Sequence, residues 1–453
     1  MTQVSGTQVE GPRVVAVAHD GAAPPEVAGE IPVGERIRRL RLEQGMSQSE
    51  LAAGRLSKGF ISQIESGRSR PSPESLRFIA ARLNVPLVAL LPGLELAQQQ
   101  AFLLRAAEAA VKVREQAEAA ALLDEVRPLL TAPVELSWFN RLRAELLIQR
   151  GDLEAALDAA LTAFDHVCGG DPSDEQVRAC NLVGRIHHIA GRQPAALLYF
   201  DRAAELASHP SISPAQRAQV HSNRGTTHMH LGDPAHAVRA YEAARAAAED
   251  AEDLWQLAIA HMGLAETCHQ RNDLPNAIAH AERAIVLFER IEMRQLQAQI
   301  LHNLGHIHAD NGDMESARTF QDRALAAARA MNDTLTAGYA LERLASLDVA
   351  EGNAASALTR AQAAIEAATQ VGDKNLLATS HAALGEAYEL AGDGAAADQA
   401  FADARRVIDS DPIVLMDRRT RSVLLRQGAM LRARQDFEGA AACFEAAARV
   451  GSS

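Results

Sequence analysis

With 453 residues the chain is longer than one ordinary core organises, so several domains or a repeat array is expected. Hydrophobic residues make up 47% but aromatic ones only 4%, which argues against a β-rich core and for helices packed closely through alanine. The formal net charge of -13 is uneven: residues 31–92 hold ten Lys and Arg against five acids, a basic module of +5 on an acidic body.

Residues 1–30, with Pro24, Pro25 and scattered glycines, carry a net of -3 and read as a disordered tail. They lack a basic start followed by an apolar core, so no secretory signal is expected. No apolar run approaches the roughly 20 residues that span a bilayer, so no membrane partner is expected either. Cys168, Cys180, Cys268 and Cys443 are widely spaced and form no CxxC pattern. They read as reduced, mostly buried residues of a cytoplasmic protein rather than a disulfide or zinc framework.

Residues 31–92 show five short helical patterns. Ile37, Leu40 and Leu42 mark the first, ended by Gly45. Ser47 and Glu50 stand at capping-box spacing before a second, which turns Leu51 and Ala52 inward. Ser57 caps a third with Ile61 and Ile64 on one side, Pro73 opens a fourth, and Pro86 starts a short fifth. The second and third have helix-turn-helix proportions, with a tight turn around Gly54–Leu56. Lys58, Gly59, Ser62 and Gln63 are left outward on the third helix: Gln pairs with adenine, Lys reaches guanine acceptors, and Arg68 and Arg70 just beyond suit phosphates.

The string Gln48-xx-Leu51-Ala52…Ile61-Ser62-xx-Glu65-x-Gly67, followed by Pro71-Ser72, resembles the phage-repressor/Cro (XRE) helix-turn-helix family. The resemblance implies that Gln48 starts a helix and bonds a phosphate, and that Lys58, Gly59 and Gln63 face the bases. It also implies a partly buried ion pair between Arg41 and Glu65. The segment from Leu51 to Ile61 is one residue shorter than in the commonest members.

The rest of the chain repeats itself. A turn signal recurs at Gly151-Asp152, Gly191-Arg192, Gly232-Asp233, Asn272-Asp273, Gly312-Asp313, Gly352-Asn353, Gly392-Asp393 and Gln435-Asp436, about forty residues apart. Five and twelve residues after each turn stands Ala, and seven before each stands Gly or Ala. Gly or Asn ends a helix in the left-handed conformation, Asp suits the start of the next, and the small residues let paired helices approach. This pattern resembles the tetratricopeptide repeat in a longer, ~40-residue version. The expected fold is all-α: a five-helix head over 31–92, a linker with degenerate capping helices over 93–135, and a right-handed superhelix of eight repeats over 136–453.

No convergent set of acid, base or nucleophile is apparent, so the chain reads as a non-enzyme without a cofactor. The first helix of each repeat lines the inner wall of such a superhelix. Asn181, Asn223, Asn303 and Arg343 stand two or three residues before the small residue, and Arg185, Glu266, His306 and Glu386 just after it. Asn both donates to and accepts from a peptide backbone, so the resemblance implies a ligand groove. His302 and His306 lie four apart, but His187, His228 and His308 occupy a position where an aromatic ring packs, and no metal site is expected.

Together, such a head and such a body resemble the RRNPP class of signal-responsive regulators. That resemblance implies a homodimer on a double-stranded DNA operator, controlled by a peptide, as in quorum sensing, or by another small-molecule ligand. Two other readings remain open: control by a protein partner in the groove, and a scaffold without ligand.

Overall fold

The computed structural model describes residues 32–90, 96–410 and 418–450; the expected tail over 1–30 lies outside them. The described residues are helical without a strand. They fall into two compact units, one up to Leu130 and one from Thr131.

The first unit opens with α1 (Val33–Glu43), α2 (Gln48–Ala52), α3 (Lys58–Glu65) and α4 (Pro73–Arg82). Ser47 Oγ accepts the Glu50 N–H while Glu50 accepts the Ser47 N–H, so both halves of the capping box are made. Ser57 and Ser72 cap α3 and α4 in the same manner. Ile37, Leu51, Ile61, Ile64, Ile79 and Leu83 form the core. Gly34 is needed where α1 meets the end of α3, because a Cβ there would stand 1.9 Å from the Ile64 carbonyl oxygen. Two details depart from the sequence reading. Leu42 is exposed because Arg41 takes the inward place, and the fifth helix is a single 3-10 turn, Leu87–Leu90, too short for an α-helix. Two further helices, α5 (Leu96–Lys112) and α6 (Gln116–Val126), pack on each other. Arg77 of α4 is tied to α6 and the turn before it, through Glu118 at 2.6 Å and Glu115 at 2.9 Å.

Among the described residues the second unit forms eight helix pairs. They are α7 (Pro133–Gln149) with α8 (Leu153–Val167), α9 (Asp174–Ile189) with α10 (Gln193–Ala207), and α11 (Pro214–His230) with α12 (Pro234–Asp250). Next come α13 (Leu254–Gln270) with α14 (Leu274–Arg290), α15 (Arg294–Asp310) with α16 (Met314–Ala330), and α17 (Thr334–Ala350) with α18 (Ala354–Val371). The last pairs are α19 (Lys374–Ala391) with α20 (Gly394–Asp409), and α21 (Arg418–Ala433) with α22 (Phe437–Arg449). Every turn signal read from the sequence is left-handed, including the non-glycines Asn272 and Gln435. The device recurs between pairs, unnoticed in the sequence: Glu252-Asp253, Asn332-Asp333 and Gly372-Asp373 turn left-handed and cap the next helix.

Within a pair, the small residue seven before the turn faces the residue nine after it. Gly184 faces Phe200, Gly225 faces Tyr241, Gly385 faces Phe401 and Gly428 faces Phe444, each leaving less than 3.0 Å for an added methyl. Ala144, Ala265 and Ala345 are matched instead by Ala160, Ala281 and Ala361, all fully buried or nearly so. Bulk is exchanged between the two helices while the gap stays filled. First helices of neighbouring pairs pack on one another more extensively than second helices do, so the array curves with its first helices inside.

Candidate functional site

In the first unit the sequence divides the positive side chains into two groups. Arg41 is buried, and its guanidinium grips Glu65 with Nε to Oε1 at 2.6 Å and Nη2 to Oε2 at 2.9 Å. Burial pushes the Glu65 carboxyl up, but hydrogen bonds from Arg41 and Gln48 outweigh it and hold it below the usual range. The pair anchors α1 to α3 from behind. On the front of α3, Lys58, Gly59, Ser62 and Gln63 are exposed, as are Arg68 and Arg70 beyond its end. None of their side chains has a hydrogen bond or ion pair with another described residue. Gln48 does stand at the start of α2, but its Nε2 donates to Glu65 Oε2 at 2.8 Å. Arg38 of α1, which the sequence reading did not single out, is also exposed, and its charge bears on Glu65.

The inner wall of the second unit splits the groove residues. Asn223 Nδ2 donates to Asn181 Oδ1 at 2.9 Å, linking α9 to α11, and Asn181 is buried by it. Asn181 stands one residue earlier in its repeat than Asn223 and Asn303, which explains its deeper place. Asn303 is half-buried with no side-chain partner among the described residues. Arg185 reaches Glu145 only at 3.9 Å, and Glu266 accepts from Gln270 of its own helix. Arg343 is half-buried with Nε unpaired among the described residues, and its charge bears on His302, His306 and Glu342. His306 Nδ1 lies 3.3 Å from Asp310.

One feature of the wall escaped the sequence reading. Arg426 of α21 bonds Glu386 of α19 at 2.6 and 2.9 Å and Glu342 of α17 at 2.9 Å. Arg426 occupies the same repeat position as Asn223, Asn303 and Arg343, two before the small residue, and that column was the available signal. This clamp fills the inner face of the last three pairs with the protein's own charges. The repeat-position histidines behave as expected: His187 stacks on Tyr199 at 5.5 Å and His308 on Phe320 at 5.2 Å. Three of the four cysteines are buried, Cys168 is exposed, and all are free. Among the described residues no helix is long and apolar enough to cross a membrane.

Comparison with known proteins agrees with this geometry. The helix-turn-helix family model matches residues 37–90, and tetratricopeptide-repeat models match 141–210, 222–291 and 298–331. The chain thus joins a helix-turn-helix segment to tetratricopeptide repeats. Transcriptional regulator ClgR of Mycobacterium tuberculosis is 38% identical over 71 residues, 15% of this chain and 63% of ClgR. The chain therefore spans somewhat less than two thirds of that relative. Among solved structures, the apo quorum sensor NprR from B. thuringiensis is 14% identical, with a TM-score of 0.58 over 79% of this chain and 99% of NprR. The Rap conjugation gene regulator of plasmid pLS20, in complex with the Phr* peptide, is 14% identical, with a TM-score of 0.51 over 77% of this chain and 93% of that one. At such identities the likeness is one of fold.

Proposed function

We propose that the chain is a sequence-specific DNA-binding transcription regulator, cytoplasmic and homodimeric, whose repeats sense a short peptide. In this reading residues 31–92 bind the operator, residues 93–135 join the parts, and residues 136–453 sense the signal. No catalysis is part of it.

The observation that carries the reading is the bare front of α3. Lys58, Gly59, Ser62 and Gln63 are exposed, without side-chain partners among the described residues, on a helix whose back is locked by Arg41–Glu65. Lys58 and Gln63 read base edges, with Gly59 and Ser62 allowing close approach, while Arg68, Arg70 and Arg38 grip phosphates. Gln48 adds a phosphate contact through the second hydrogen of its amide. Paired heads meet the duplex about one turn apart, so a modest change in the repeats suffices to switch binding. The similarity of the head to a transcriptional regulator supports DNA as its partner.

For the signal, support comes from the polar inner wall and from the peptide bound to a Rap protein of similar fold. The Arg426 clamp already occupies the C-terminal stretch, so the peptide lies between α9 and α17. There Asn223, Asn303, Arg185, Glu266, His306 and Arg343 face it, with Asn181 supporting Asn223.

The test is fluorescence anisotropy on the DNA upstream of the protein's own gene, with and without the small-molecule fraction of host medium. Lys58→Ala with Gln63→Ala removes sequence-specific binding, each contact being worth about 1–3 kcal/mol, with the helical signal unchanged. Operator affinity that survives this double change refutes the role of α3. Asn223→Ala with Asn303→Ala abolishes the response to the fraction but not DNA binding. A shift that resists protease treatment of the fraction replaces the peptide with a metabolite.

A further inference from the structure

We propose that His269, His306 and Asp310 form a binding site for a late first-row divalent cation of the zinc type, bridging two neighbouring inner helices. His269 lies in the last turn of α13, and His306 and Asp310 lie four residues apart on α15. His269 Nε2 stands 2.6 Å and His306 Nδ1 3.3 Å from Asp310 Oδ2, and the three ligand atoms all lie within 4.8 Å of one another. Two imidazoles and one carboxylate suit a tetrahedral ion whose fourth position is left to water.

Asp310 is the telling residue. It sits in the last turn of its helix, where the dipole disfavours negative charge. The residues at the same repeat position, Gln149, Ile189, His230, Gln270, Ala350 and Leu390, include no acid. Its carboxylate therefore serves no need of the repeat. Elsewhere in the wall the same two positions hold His188 and His230, with rings 4.8 Å apart, and His230 there meets the Thr226 carbonyl instead of an acid.

A second cluster, His228, Asp233 and His236, has a plainer explanation. Asp233 accepts the His236 N–H as the cap of α12, the task of Asp152, Asp313, Asp393 and Asp436 in their own repeats.

This inference stands independently of the DNA-binding reading, because its readout is spectroscopic. Untagged full-length protein, stripped with chelator, is titrated with Co2+. One equivalent should develop the visible bands of four-coordinate cobalt, and Zn2+ should displace it. Asp310→Asn, which preserves size, and His269→Ala should each weaken binding at least about tenfold with the helical signal unchanged. His236→Ala should leave the bands intact. The site is overturned if the wild-type chain gives no bands, if both substitutions leave them, or if His236→Ala alone removes them.

Discussion

The two units treat their arginines differently. In the first, Arg41 and Arg77 are sealed against carboxylates, while Lys58, Arg68 and Arg70 stand exposed without partners among the described residues. In the second, arginines across the repeats are answered from within. Arg426 meets Glu342 and Glu386, Arg434 meets Glu389 and Asp398, and Arg318 and Arg360 share Asp348. A charge that holds helices together is already engaged, whereas in the proposed reading a charge that grips a phosphate stays free until DNA arrives. Net charge by segment cannot tell these apart; partner geometry can.

The largest effects come from removing an engaged charge. Arg426→Met removes the guanidinium that joins Glu342, 5% exposed, to Glu386. We expect a loss of about 3–5 kcal/mol in urea unfolding, much of it recovered when Glu342→Gln and Glu386→Gln are added. Arg41→Met should cost the first unit a similar amount through Glu65. A change below 1 kcal/mol would place these arginines with ordinary surface pairs.

Acid should probe the second unit next. His261 Nδ1 lies 2.9 Å from His280 Nδ1. Burial first, then the charges of His280, Arg283 and Arg245 against opposition from Glu249, push His261 down to about 4. His280 is lowered too, by burial first and by Arg245 and Arg283, against Glu242 and Asp273. The unfolded chain takes up a proton near pH 6.5 and the folded one does not. Stability from His261 is therefore complete above about pH 6.5 and is lost as pH falls toward 4. About 3 kcal/mol is at stake, and His261→Asn should flatten that part of the urea-midpoint profile.

A smaller effect tests the exchange of bulk within pairs. Alanine is the better helix former, yet a methyl on Gly385 would stand 2.7 Å from the Phe401 ring. Gly385→Ala should destabilise by about 1–3 kcal/mol. Adding Phe401→Ala recreates the Ala345–Ala361 match, so the double variant should lose less than the two single losses combined. Strict additivity would show that the residues do not share one gap.

Much of this was legible in sequence because it is local. The turn column at forty-residue spacing, the Ser47–Glu50 box and the outward set on α3 each depend on residues within a few positions. Arg41 and Glu65, 24 apart, were paired only through family resemblance. The Arg426–Glu342 bond spans 84 residues and needs the curvature of the array, which no window of sequence carries. His269 and Asp310 likewise meet only because first helices one repeat apart lie side by side. Gln48 shows a third limit: its place at the helix start was readable, but not the turn of its amide toward Glu65.

The smallest effect on stability belongs to the free charges, and it is the sharpest use of the comparison. Arg68→Ala and Arg70→Ala break no hydrogen bond or ion pair among the described residues, so each should leave the unfolding free energy within about 0.5 kcal/mol of its original value. Each neutralised phosphate contact adds close to one to the slope of log affinity against log salt. Each substitution should therefore weaken DNA binding similarly on specific and unrelated duplexes and lower that slope by about one. A loss confined to the specific duplex would make these arginines base readers. An unchanged slope would remove them from the interface and leave the phosphate grip to Arg38 and Gln48.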